Sequence, residues 1–191
     1  MFFWETRHVI TAFPEIATIY PANADYYSYY DSEPKTCQKA LTDLTNYLEL
    51  EGPFDGIIAF STGAALATTM LIRHTKSKSG TCLPEPPIKV AIFFSCSTPV
   101  DPEMLMEKGI VKFLEADQHD LIKIPTAHIW GAKDKLWRET SESVSRMCAA
   151  KKRSVFVHDG GHEIPGGRDK SSILGAVHVI RRAIDAALMA Q

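Results

Sequence analysis

Four short apolar runs alternate along the chain with stretches whose apolar residues recur every three or four positions, and no other feature limits the possible folds as strongly. The runs are residues 54–60 (Phe-Asp-Gly-Ile-Ile-Ala-Phe), 88–95, 124–131 and 153–158. They are short and rich in β-forming residues, as expected of strands buried in a parallel sheet. Helical patterns fall at about 35–50, from Thr62 to about His74, at about 139–150 and at 171–189. Cys37, Leu41, Leu44 and Leu48 mark the inward stripe of the first. Ile173, Val177, Ile180, Ile184 and Leu188 mark that of the last. Strands and helices in this order make an α/β fold, a parallel sheet with helical crossovers. In such open sheets ligands bind beyond the carboxyl ends of the strands.

A chain of 191 residues is sized for one domain, residues 1–191, with a core that needs neither disulfide nor metal. The formal net charge of -2 argues against nucleic acid or an anionic membrane as partner. Lys151-Lys152-Arg153 and Arg181-Arg182 read as solvated helix ends or faces. Cys37, Cys82, Cys96 and Cys148 are widely spaced, with no C-x-x-C pair. That argues against a zinc site and against a disulfide scaffold, and the simplest compartment to expect is the reducing cytoplasm. The opening residues Met1-Phe2-Phe3-Trp4-Glu5-Thr6-Arg7 do not read as a signal peptide, and no apolar stretch is long enough to span a bilayer.

The segment Ile57-Ile58-Ala59-Phe60-Ser61-Thr62-Gly63-Ala64-Ala65 leads a strand into a serine and a helix of small residues out of it. The G-x-S-x-G elbow places a nucleophilic serine on such a strained strand-to-helix turn, which needs small residues on either side. Gly63 fills the second small position. Ala59 stands where the first glycine usually sits, a departure of one methyl group. The elbow exposes the hydroxyl, aims a helix N-terminus at the reacting carbonyl and leaves the Thr62 N–H for an oxyanion. The competing reading makes Ser61 the N-cap of the helix that begins at Thr62.

A serine needs a base within hydrogen-bond reach, and in this kind of fold the chain order is serine, acid, histidine. Asp134 follows the run 124–131 by one short turn. His162 follows the run 153–158, after Gly160 and Gly161, whose freedom lets the loop bring the imidazole back over the sheet. Asp159 is a rival acid, and Asp134 could instead cap a helix or make a turn. His158 and His162 have the spacing of a metal pair only if helical, and Asp-Gly-Gly between them is not. Residues 96–123, with Pro99, Pro102, Met104 and Met106, read either as a helical excursion or as a cap over a pocket. Residues 76–87 read as a polar surface loop.

These residues resemble the FSH family of small serine hydrolases, found in fungi and other eukaryotes. The resemblance rests on Tyr26 to Asp31, on Gly52-Pro53-Phe54-Asp55-Gly56 leading into the elbow, on Pro125 to Asp134, and on Gly160-Gly161-His162-Glu163-Ile164-Pro165. It covers the chain from about residue 20 onward. It implies an α/β-hydrolase fold, a mostly parallel sheet flanked by helices, with the triad Ser61, Asp134 and His162. It also implies an esterase or thioesterase that needs no cofactor and no metal. Its substrate would be a small-molecule ester or an acyl thioester on a carrier protein, as in fungal polyketide biosynthesis. Tyr27, Tyr30 and Met104 would suit an apolar acyl chain. Family members open with a strand that ends in a His-Gly-type loop, the source of a second oxyanion N–H. Nothing in residues 1–20 reads this way, since no glycine follows His8-Val9-Ile10-Thr11-Ala12. The expectation is a shortened N-terminus, a bared sheet edge and an oxyanion hole one donor short, a loss of roughly 10²- to 10³-fold in rate. A truncated, inactive hydrolase fold with a binding role is the alternative. A phosphate-binding α/β domain would need a glycine-rich first loop, which is missing.

Overall fold

The computed structural model describes residues 8–10, 26–31, 33–77, 88–166 and 169–190. Strands β1 (His8–Ile10) and β2 (Tyr26–Ser28) pair antiparallel as a small separate sheet. There follow α1 (Pro34–Glu51), β3 (Gly56–Phe60), α2 (Thr62–Ser77), β4 (Val90–Phe94), α3 (Pro102–Lys108), β5 (Thr126–Gly131), α4 (Arg138–Met147), β6 (Arg153–His158) and α5 (Lys170–Leu188). The main sheet has the order β3-β4-β5-β6, every pair parallel. All four carboxyl ends therefore open on one edge, where the residues that follow β3, β5 and β6 can meet. The four strands fall within the four apolar runs, and each helical pattern becomes a helix.

Two apolar layers sandwich the sheet. On one face Ala91 and Phe93 pack with Leu41 of α1, Ala67 and Leu71 of α2, and Val144 and Met147 of α4. On the other, Val90, Ile92, Phe94, Ala127 and Ile129 pack against α5. The buried stripe of α5 is Ser172, Ala176, Val179, Ala183 and Ala187. This corrects the expected stripe by one position: Ile184 and Leu188 are exposed. The cause is close approach. A Cβ on Gly175 would stand 2.3 Å from the Phe156 ring on β6, so the helix lies on its small residues and its larger ones flank the contact.

Strands β3 and β6 are the outer strands of this sheet among the described residues. Of β3, Ile58 is 69% exposed and Phe60 36%; the stretch in which a preceding strand was sought lies largely outside the described residues. Residues 96–123 contain one short helix, α3. Asp101 caps α3 through the N–H groups of Glu103 and Met104, and Gly109 ends it in the left-handed conformation at φ 63°. Thr69 and Val100 bond each other (Thr69 Oγ1 to Val100 O 3.2 Å, Val100 N to Thr69 Oγ1 3.0 Å), and Gln38 Nε2 donates to Leu105 O at 2.7 Å. These bonds tie the excursion to α1 and α2. Most of the 76–87 loop, Cys82 included, lies outside the described residues. Among the described residues no helix is long and apolar enough to cross a membrane.

Candidate active site

Ser61 stands one residue beyond β3 with φ at 53°. In that left-handed region a side chain costs about 1–2 kcal/mol. Backbone bonds hold the turn: Ser61 N–H donates to Phe94 O (3.0 Å), and Ser61 O accepts from Ala64 N–H (3.0 Å), Ala65 N–H (3.1 Å) and Ser97 N–H (3.4 Å). Ala59 is accommodated, half-buried against the core. At the other small position, a Cβ on Gly63 would meet the Tyr29 ring at 3.3 Å. Thr62 opens α2, so its N–H is one of the first four of the helix, which have no intrahelical carbonyl to bond.

The His162 ring lies between two partners. Its Nε2 is 2.9 Å from Ser61 Oγ, and its Nδ1 is 2.8 Å from Asp134 Oδ2. An ionised Asp134 only accepts, which fixes the imidazole proton on Nδ1 and leaves Nε2 to accept from the serine hydroxyl. The Asp134 side chain is fully buried. Its Oδ1 accepts from Leu136 N–H (3.1 Å) and Trp137 N–H (2.9 Å), so both oxygens are engaged. A buried carboxylate is tolerable only when paired in this way.

The loops that carry Asp134 and His162 are stitched to each other. Ala132 N–H donates to His158 O (2.7 Å) and Lys133 N–H to Gly160 O (2.9 Å), while Asp134 N–H closes its own turn on Gly131 O (3.1 Å). Gly160 N–H donates to His158 Nδ1 at 3.1 Å. The chain after β6 crosses so tightly over the end of β5 that a Cβ on Gly131 would stand 2.2 Å from Gly161 O and 2.3 Å from Gly160 O. The sequence reading gave Gly131 no role. Its only signal was a glycine at a strand end, three residues before the acid. Phe60 was missed as well: its ring packs on the His162 imidazole, centroids 4.8 Å apart and planes tilted by 37°.

The structure thus brings Ser61, Asp134 and His162 together from three loops. The rival Asp159 is exposed, and the Nδ1 partner is Asp134. His158 is buried at the end of β6, where its ring serves the loop. Among the described residues no group of three or more His, Cys, Asp or Glu converges as a metal site. Of the three residues expected to line an acyl pocket, Tyr27 is half-exposed on β2 and Met104 half-buried on α3. Tyr30 lines a small core cavity with Leu41, Leu66, Val100 and Leu105, and burial pushes its phenol well above the usual range. The tyrosine against the elbow is Tyr29. Residues 11–20, part of the stretch searched for the family's second oxyanion loop, lie outside the described residues. Cys37, Cys96 and Cys148 are free and buried, and burial raises all three thiols, Cys37 to about 11 and Cys148 to about 12.

A family model described as serine hydrolase (FSH1) matches residues 4–173. A Fusarium mangiferae protein named Esterase FPY3 is 39% identical over 139 residues, 72% of this chain and 60% of that protein. A fungal protein named Hydrolase phiM is 30% identical over 136 residues, 69% of this chain and 60% of that protein. The chain therefore spans about three-fifths of the length of these relatives. In fold it is similar to mouse alpha/beta hydrolase domain-containing protein 10, at a TM-score of 0.53 and 13% identity, with 78% of this chain and 69% of that one covered.

Proposed function

This chain belongs to the serine hydrolase (FSH1) family, and on that footing we propose that it hydrolyses a small-molecule ester through an acyl-enzyme on Ser61. The observation that carries the reading is the relay from Ser61 Oγ to His162 Nε2 (2.9 Å) and from Nδ1 to Asp134 Oδ2 (2.8 Å). As Ser61 Oγ bonds to the carbonyl carbon, its proton passes to His162 Nε2, and the carbonyl π electrons become an oxyanion. Asp134 holds the tautomer and stabilises the imidazolium. The Thr62 N–H at the start of α2 receives the oxyanion. Collapse breaks the bond to the leaving alcohol, which takes the proton from Nε2. Water then attacks the acyl-enzyme, giving its proton to His162, and Ser61 leaves with that proton restored.

An acyl thioester, free or on a carrier protein of fungal secondary metabolism, is the finer substrate reading. It rests on the family resemblance, and a thiolate leaves with less help from the acid than an alkoxide. The test is labelling with a fluorophosphonate and turnover of p-nitrophenyl esters beside acyl thioesters. Wild type is expected to label and turn over, and Ser61→Ala to do neither. A stable, folded wild type that never labels refutes the hydrolase reading. Ester turnover with no thioester turnover refutes the thioesterase part alone.

A further inference from the structure

We propose that Phe60 is a positioning residue for the general base: its ring face seats the His162 imidazole and favours the imidazolium formed when Ser61 gives up its proton. The inference rests on the reading of Ser61 and His162 given above. Phe60 is the last residue of an edge strand and 36% exposed, so burial alone does not account for an aromatic there. Its centroid lies 4.8 Å from that of His162, inside the roughly 6 Å at which an aromatic face attracts a cation. The two hydrogen bonds of His162 leave the ring through its opposite nitrogens. They fix the ring along the line between Asp134 and Ser61 but do not stop it from tipping about that line. A ring packed against one face removes that freedom. Phe60 also precedes the nucleophile in sequence, so one turn of chain places both Ser61 and the seat of its base.

Asp134 bonds Nδ1 of the imidazole, and the ionisable groups flanking His162 along β6 and its loop are His158, Asp159 and Glu163, with Lys133 on the adjoining turn. Glu163 Oε1 accepts from Gly161 N–H at 3.4 Å, and His158 Nδ1 from Gly160 N–H. None of these contacts involves Phe60.

The test compares the pH profile of kcat/KM for a p-nitrophenyl ester in wild type, Phe60→Leu and Phe60→Tyr. Leucine keeps apolar cover but has no π face. Phe60→Leu is expected to lower the plateau ~2- to 5-fold and to move the acid limb about 0.4–0.7 pH unit lower; Phe60→Tyr restores both. The signs agree because the same stabilised imidazolium appears on the reaction path and in the acid form of the free enzyme. A plateau that falls while the limb stays in place, or a tyrosine variant that fails to rescue, overturns the proposal. Should Phe60→Leu not fold, Phe60→Met takes its place. The NMR titration of the His162 ring protons, read without turnover, should show the same displacement. A wild type that neither labels nor hydrolyses removes the catalytic role, and the ring titration still decides whether Phe60 stabilises the imidazolium.

Discussion

Gly131→Ala should disable the site without touching any of the three side chains that form it. The added Cβ would lie 2.2 Å from Gly161 O, 2.3 Å from Gly160 O and 2.7 Å from Gly160 C. All three neighbours are backbone, so no flexible side chain can swing away. Relieving the overlap requires the loop to retreat by about 1 Å from ordinary contact distance. That loop carries His162, and Lys133 N–H holds it through Gly160 O at 2.9 Å. The imidazole would move with it, away from a serine hydroxyl that now stands at 2.9 Å. A misplacement of about 1 Å costs on the order of 10²-fold in rate, close to 2.7 kcal/mol of barrier. Overpacking adds a stability loss of about 1–3 kcal/mol. The measurement is the second-order rate of fluorophosphonate labelling beside the urea-unfolding midpoint of the same preparation. A variant that labels at the wild-type rate with an unchanged midpoint would refute the crossing of the two loops over β5.

Asp134→Asn keeps the shape but presents Nδ1 with the wrong tautomer, and kcat should fall by up to about 10⁴-fold; near-normal turnover would mean another group orients His162. Ser61→Gly removes the side chain that pays for φ 53°, so it should be more stable than Ser61→Ala by about 1 kcal/mol, read from denaturant midpoints, while both are inactive. Equal midpoints would show that the elbow is unstrained. His128 is buried on Thr126 Oγ1, and burial, then the Arg153 charge, holds it down to about 3 against an ordinary 6.5. Between those pH values the unfolded chain binds a proton that the native one refuses, so stability falls as the solution is acidified from about 6.5, by a few kcal/mol in all. His128→Leu should flatten this slope, and an unchanged slope would place its origin elsewhere.

The layout of the sheet was legible because parallel strands covered on both faces leave short apolar runs. Ser61, Asp134 and His162 could be picked out because each follows such a run. What the sequence hid depends on approach distance and phase. Large apolar residues drew the expected stripe of α5 to Ile184 and Leu188, whereas the contact belongs to the small residues that let the helix close on Phe156. Three tyrosines fall within Tyr27 to Tyr30, and side chains along extended chain alternate in direction. Nothing local tells which of them meets Gly63, and it is Tyr29. Gly131 and Phe60 act on residues about a hundred or fewer positions away along the chain, Gly160 and His162, so no local pattern could have revealed them.

The proposed acyl transfer asks the protein both to take a proton from Ser61 and to hold charge on the substrate oxygen. The acid and base loops brace each other through two backbone bonds and the packed Gly131, so Asp134 and His162 move as one body. Ser61 is braced differently. Its strand is one of the two outer strands of the sheet among the described residues, and its backbone bonds outside its own helix run to Phe94 O and Ser97 N–H on the β4 side, none of them to the loops that carry Asp134 and His162. The soft coordinate of the site is therefore the separation of Ser61 from His162, not that of His162 from Asp134. The Phe60 ring reaches the imidazole from the nucleophile's own strand. Loss of its contact should free the imidazole to tip about the line between Asp134 and Ser61 while its bond to the Asp134 carboxylate holds.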